Sequence, residues 1–228
     1  MNHRGLLSSC VALLLLSACA KPPAPAPQKP VLTVEVKSDP ERAQLLLDGR
    51  PLGEAPKVVG MTTEDELLKL NATYQGQEVA EKRIRFLSLD RAEVTFLFGA
   101  GRSVMAKALG LPRILVFDYG AGVTFDLNKA ELKPEFRPLL DRQSRLLTSH
   151  FAGLDIFVCG HTDNLGSQDR NLVLSLERAG AVANHLVAQG VPKARLKSQG
   201  FASQYPVSDN GTEIGRALNR RTEVVLPQ

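Results

Sequence analysis

The sequence predicts an α+β chain in two parts: a small antiparallel β-sandwich, then an α/β sandwich in which helices pack on a mixed sheet of βαβαβ(α)β order. Between residues 31 and 98, extended runs follow one another with only turns between them. From residue 115 onward, extended runs alternate with helical ones, and that alternation implies helices packed on a sheet. A stretch of about 110 residues is long enough to enclose a core of its own.

The opening residues, MNHRGLLSSCVALLLLSACA, carry Arg4, an apolar run and a small-residue end around Cys19. This is the pattern of an export signal spanning residues 1–18, and its apolar part is shorter than the ~20 residues of a membrane-spanning helix. LSAC, Leu16 to Cys19, resembles the bacterial lipobox. The resemblance implies cleavage before Cys19 and acyl chains on that residue. Several such chains make a stable anchor, at ~0.8 kcal/mol per buried methylene. Ala20 rather than Asp follows Cys19, which in lipoproteins of this kind favours the outer membrane. Residues 20–30, AKPPAPAPQKP, read as a polyproline-like tether reaching on the order of 34 Å at ~3.1 Å per residue.

In LTVEVK, Leu32, Val34 and Val36 alternate with Thr33, Glu35 and Lys37, the period of a half-buried strand. SDPERA is a turn. Asp48-Gly49 lies between two short extended runs, and a two-residue hairpin turn needs the positive φ that Gly adopts without steric cost. KRIRFL and AEVTFLF alternate again, with Ala92, Val94, Phe96 and Phe98 on one side. VEVKSDPERAQLLLDGRPLGEAP resembles the PEGA-type domain, whose Pro-Glu-Gly-Ala turn reads here Pro40-Glu41-Arg42-Ala43, with Arg42 where the family has Gly. That resemblance covers residues 31–98 and implies a surface or spacer module. Residues 99–114, GAGRSVMAKALGLPRI, read as a linker.

Beyond it, ILVFDYGAGVTFDLN is extended, PEFRPLLDRQSRLLTSHF helical, and LDIFVCG a strand with apolar residues on both faces. SQDRNLVLSLERAGAVANHLVAQG reads as a long helix closed by Gly190. A strand near RLKSQGF, a turn at SDNGT, a short helix EIGRALN and a last strand RTEVVL complete the chain. On the long helix, Leu172, Leu176, Ala179, Ala183 and Leu186 follow spacings of four and three and are expected to form the buried face. Asn171, Ser175 and Arg178 form a second column, of amide, hydroxyl and guanidinium.

That column begins beside a Gly-rich turn carrying Asp163, where a strand end meets a helix N-terminus with unpaired N–H groups. The same residues admit two arrangements. Asp163 and Arg178 can neutralise each other, or Asp163 can cap its own turn. Alternatively they face a ligand bearing both an ammonium and a carboxylate, the aspartate accepting from the first and the arginine forking onto the second.

GHTDNLGSQDRNLVLSLERA resembles the core signature of the OmpA-like peptidoglycan-binding domain, GHTDxxG followed by NxxLSxxRA. The matched residues are Gly160, His161, Thr162, Asp163, Gly166, Asn171, Leu174, Ser175, Arg178 and Ala179. VTFDLNKAELKP and NGTEIGRALNRRTEVVL extend the resemblance over residues 115–228, with Thr222 where an apolar residue is common. The family's ligand is the diaminopimelate of the peptidoglycan stem. The resemblance implies ligand-binding roles for Asp163, Arg178, Asn171, Asp126 and Arg220, with no cofactor and no enzymatic activity. The expected protein is an outer-membrane lipoprotein, lipidated at Cys19 and facing the periplasm, that ties the membrane to the wall.

Competing functions find less in the chain. The four histidines do not assemble with acids into a hydrolytic set. Cys159, His161 and Asp163 alternate, but the outer two lie ~13 Å apart on a strand, too far for one ion. Cys159 reads as a buried small hydrophobe and His161 as a packed or capping residue. A net charge of +4, or +3 without Arg4, points to no polyanion partner. An envelope adaptor, whose residues 31–98 contact a partner protein, is the remaining alternative.

Overall fold

The computed structural model describes residues 31–120 and 124–228. The signal segment, Cys19 and the tether expected within residues 1–30 lie outside the described residues. Strands β1 (Leu32–Asp39), β2 (Gln44–Leu47), β3 (Arg50–Glu54) and β4 (Lys57–Met61) come first. A five-residue helix α1 (Asp65–Lys69), β5 (Leu70–Thr73), β6 (Val79–Phe86) and β7 (Arg91–Phe98) follow. The hairpin read at Asp48-Gly49 joins β2 to β3, with both residues at positive φ (51° and 76°). Arg42, the residue standing in for a turn glycine, also takes a left-handed backbone, at φ 69°. The alternations of β1 and β7 bury the residues they predict, Leu32, Val34 and Val36 on one strand and Ala92, Val94, Phe96 and Phe98 on the other.

The second half contains α2 (Val104–Leu109), β8 (Ile114–Gly120), α3 (Arg137–His150), β9 (Ile156–Gly160) and α4 (Gln168–Ala188). It ends with β10 (Leu196–Gly200), α5 (Glu213–Asn219) and β11 (Arg221–Pro227). Here the expected order of strands alternating with helices holds, on a sheet that mixes parallel and antiparallel pairs.

The expected separation into an antiparallel sandwich and an independent second domain is corrected by the sheet itself. One sheet of eight strands runs β10-β9-β11-β8-β6-β7-β1-β4 through both halves. Its continuity rests on parallel pairing of β6 with β8, from Glu81 opposite Ile114 to Phe86 opposite Tyr119. The N-terminal half is not purely antiparallel either, because β1 pairs parallel with β7. A second sheet, β3-β2-β5, supplies the other layer. A single apolar cluster extends from Val34 and Leu45 through Phe86, Phe117 and Tyr119 to Leu140 and Leu186.

Residues 99–114, expected to be a linker, hold α2 instead. Ser103 caps it by accepting from the Ala106 N–H, and Met105 and Ala106 pack on Ile114, Val116, Cys159 and Val225. Helix α3 also reaches across the halves. Arg142 pairs with Glu64 at 2.8 Å and donates to the Leu89 carbonyl, and His150 lies 3.1 Å from Asp65. Lys82, on β6, closes the C-terminal end of α1 by donating to the carbonyls of Leu67, Leu68 and Leu70 at 2.6, 3.2 and 2.5 Å. Burial draws its pKa down to about 7, yet three acceptors match the three protons of an ammonium.

The long helix α4 departs from its predicted orientation. Leu172 and Leu176, expected inside, are 45% and 48% exposed, while Asn171, Ser175 and Arg178 are buried together with Ala179, Val182, Ala183 and Leu186. The cause is contact at the strand ends. A Cβ on Gly160 would stand 1.9 Å from the Ser175 carbonyl oxygen, and one on Gly200 would stand 2.7 Å from the Leu176 nitrogen. The polar column is thus pressed onto two glycines, and the first half of the helix rotates its leucines outward. Apolar periodicity cannot see a backbone approach of this kind.

Candidate functional site

The cross-strand registers define one row through the large sheet: Val34, Ala92, Phe86, Tyr119, Thr222, Gly160 and Gly200. Just beyond this row, on the same rim, lie the start of β1, the end of β8, the start of β11 and the end of β9. A cavity of about 530 Å³ opens there, lined by residues including Asp163, Leu165, Asn171, Arg178, Glu213 and Arg220.

Each polar side chain is set by its own element. Asp163 follows the end of β9 and is 7% exposed; its Oδ1 accepts from the Leu165 N–H at 3.0 Å, which closes the turn. Ser167 caps α4 by accepting from the Arg170 N–H. Asn171, in the first turn of α4, donates to the carbonyls of Leu165 (2.9 Å) and Asp163 (3.4 Å). It therefore fastens the loop as well as lining the cavity. Ser175 donates to the Leu172 carbonyl and accepts from the Ala202 N–H, tying the helix to the chain beyond β10.

Arg178 is 3% exposed. Its Nε donates to the Lys129 carbonyl at 2.9 Å, its Nη2 to the Asp126 carbonyl at 3.3 Å, and the guanidinium lies 5.2 Å from the Phe125 ring centre. Among the described residues no carboxylate forms an ion pair with it. Burial first, and Arg220 second, draw its pKa below the usual arginine value, while Asp163 opposes them.

Of the two arrangements the sequence admits, mutual neutralisation of Asp163 and Arg178 is not seen; Asp163 pairs with Arg220, whose Nη1 donates to Asp163 Oδ2 at 2.7 Å. The other arm of Arg220 reaches Glu213 Oε1 at 2.8 Å. Burial opposes the charge of Arg220, but bonds to Asp163 and Glu213 outweigh it and raise its pKa. Four of the five anticipated site residues thus line the cavity: Asp163, Asn171, Arg178 and Arg220. Asp126 contributes its carbonyl to Arg178, while its exposed carboxylate lies 3.2 Å from Lys129 and lines a neighbouring hollow. Sequence reasoning missed Glu213, one helix before Arg220, and the apolar rim of Leu127 and Leu165, which are 76% and 59% exposed. The seven-residue spacing of Glu213 and Arg220, two turns of a helix, was the available signal.

Cys159 is fully buried, and burial pushes its thiol pKa well up. His161 stacks on Phe201 at 5.6 Å between ring centres, the packed role expected of it. Its Nε2 lies 3.5 Å from Glu223, too long for a hydrogen bond of normal strength; burial, then Arg221, lower its pKa and keep the ring neutral. Among the described residues no group of three metal-ligating side chains occurs, and no helix is long and apolar enough to cross a membrane.

Part of the chain is similar to known proteins. The chain is 36% identical over 112 residues to the probable lipoprotein YiaD of Escherichia coli, covering 49% of this chain and 51% of that one. It is 36% identical over 107 residues to the peptidoglycan-binding protein ArfA of Mycobacterium tuberculosis, covering 47% and 32%. The chain therefore spans about half the length of the first relative and a third of the second. A crystal structure of the peptidoglycan-associated lipoprotein from Burkholderia pseudomallei superposes over 46% of this chain and 87% of that one, at 31% identity and a TM-score of 0.42. Residues 124–220, which contain the whole cavity, match the OmpA family model.

Proposed function

We propose that the protein binds peptidoglycan without cleaving it, gripping the diaminopimelate of a stem peptide in the rim cavity. The observation that carries this reading is the state of Arg178. Its guanidinium is buried and aimed by two backbone carbonyls, and among the described residues it has no acid of its own. A buried cation without a counter-ion costs free energy that an incoming carboxylate recovers. The Nη1 edge of Arg178, for which the described residues show no hydrogen bond, receives that carboxylate. Asp163 accepts the ligand's ammonium; Arg220 can release part of its hold because Glu213 is a second partner for it. Two charge-assisted hydrogen bonds at roughly 1.5 to 3 kcal/mol each support modest affinity for one stem, which a polymer wall multiplies through its many stems.

The membrane side of the proposal rests on the sequence at Cys19 and on the two relatives, one named a probable lipoprotein and the other a peptidoglycan-binding protein. The chain enters β1 on the rim where the cavity opens, five ladder steps of ~4.8 Å from β9, or ~24 Å. With a lipid at Cys19 and a short Pro-rich tether, the cavity would engage wall lying close to an outer membrane. The test is incubation of residues 31–228 with purified sacculi. Co-sedimentation without released muropeptides is the expected result; soluble muropeptides, or no sedimentation, would overturn the reading.

A further inference from the structure

Beneath the cavity, on the sheet face away from α3 and α4, lies a group of charges contributed by both halves of the chain. Asp118 on β8 and Glu223 on β11 are direct cross-strand neighbours, and both are fully buried. Like charges facing each other across a ladder repel, the more so out of water. Arg83, on β6 of the N-terminal half, bridges them: its Nη1 lies 3.1 Å from Asp118 Oδ2 and 2.6 Å from Glu223 Oε1. Its Nε is held by Glu81 at 2.7 Å, and Glu81 in turn accepts from the Ser103 hydroxyl ahead of α2. Arg85 adds two bonds to Asp118, at 2.9 and 2.7 Å.

Glu223 leads on to the binding rim. The same Oε1 that meets Arg83 accepts from Arg221 Nε at 2.8 Å. Arg221 is the residue after Arg220, and its carbonyl accepts the backbone N–H of His161, two residues before Asp163. Its other guanidinium nitrogens donate to the carbonyls of Asn219 and Tyr205. The side chain that neutralises the paired acids and the backbone that carries Asp163 and Arg220 thus meet at one residue. The fragment beginning at residue 115 contains both acids and Arg221 but lacks Arg83 and Arg85.

We propose that Arg83, from the β-rich N-terminal half, is a positioning residue for the diaminopimelate cavity, holding the start of β11 so that Arg220 meets Asp163. This rests on the binding reading above and assigns the N-terminal half a part in it. Without a cation at position 83, Asp118 and Glu223 compete for Arg85 and Arg221, and Arg221 turns from its carbonyl partners and shifts the rim.

The test uses residues 31–228 and three variants: Arg83→Met, Arg83→Lys, and the charge-balanced Arg83→Met/Asp118→Asn. Stem-peptide affinity is measured at a temperature where near-UV circular dichroism shows every protein folded. Hydrogen exchange of residues 161–171 is followed without ligand. Arg83→Met is expected to weaken binding tenfold or more and to speed exchange in that segment, while the C-terminal half of α4 exchanges as in the parent. Arg83→Lys and the charge-balanced variant are expected to stay within threefold of the parent. An Arg83→Met protein that melts earlier but binds and exchanges like the parent would overturn the proposal, leaving Arg83 as a fold staple alone. Should Arg83→Met fail to fold, Arg83→Gln carries the same two readouts. If the parent itself binds no stem peptide, the binding reading falls, and the exchange comparison still decides the role of Arg83.

Discussion

Adding one methyl group at Gly160 should separate α4 from the sheet and damage stability and binding together. The ideal Cβ would stand 1.9 Å from the Ser175 carbonyl oxygen and 2.7 Å from its carbonyl carbon, both backbone atoms that no rotamer change can move. Side-chain carbons essentially never approach closer than 3.0 Å, so the strand and the helix must part by about 1 Å. Overpacking of this order costs about 1–3 kcal/mol, which for a fold of this length lowers the melting temperature by roughly 2–12 °C. Helix α4 also carries Asn171 and Arg178, so stem-peptide affinity should fall with stability. The matched control is Gly180, in the same helix, where an added Cβ meets nothing within 4 Å. There Gly→Ala should stabilise by about 0.5–1 kcal/mol, because alanine loses less backbone freedom on folding. Thermal unfolding of the two variants by circular dichroism decides the matter. A Gly160→Ala protein that melts within 1 °C of the parent would refute the argument that these glycines turn the helix.

Further outcomes follow from the same geometry. Arg178→Lys keeps a charge but cannot hold two carbonyls and fork onto a carboxylate, so calorimetric titration with a stem peptide should show affinity lost by about tenfold to a hundredfold. Arg42→Gly should raise stability by roughly 0.5–1 kcal/mol in urea unfolding, since the left-handed backbone that costs arginine ~1–2 kcal/mol is free to glycine, less the greater entropy glycine loses on folding. Stability should decline on acidification. Burial and Arg221 lower the pKa of folded His161 below its ordinary 6.5, so from 6.5 down to the folded value the unfolded chain binds more protons and stability drops with pH. Burial raises Glu223, but Arg221 and Arg83 outweigh it and hold it well below 4.5, so its contribution is present above 4.5 and is lost as pH falls through the folded value. Urea midpoints at pH 7.5 and 5.5 measure the first effect, and His161→Gln, which takes up no proton there, should abolish it.

Strands and turns were legible because their signals are local. Asp48-Gly49 at positive φ and the alternation of Val34, Val36, Val94 and Phe96 needed no knowledge of partners. The positions of Asp163, Asn171, Arg178 and Arg220 came from the resemblance, and the structure gathers all four on one cavity. Which acid meets which base did not come with it: Asp163 and Arg220 are 57 residues apart, and β11 must close between β8 and β9 before they meet. The outward turn of Leu172 and Leu176 was hidden for the same reason, because the two glycines that demand it belong to other strands. The union of the two halves was hidden too: Arg83 and Arg85 lie in a strand whose alternation reads as half exposed, and the carboxylates they neutralise lie 33 to 140 residues further on.

The cavity is expected to recognise both charges of one zwitterionic group. Residues 31–228 should be titrated with a stem peptide ending in free diaminopimelate, and with two copies of it, one acetylated on the side-chain amine and one amidated on the neighbouring carboxylate. Binding to the free peptide, weakened at least tenfold by either modification, is the predicted result. Equal binding of all three peptides, or binding of none, would contradict it.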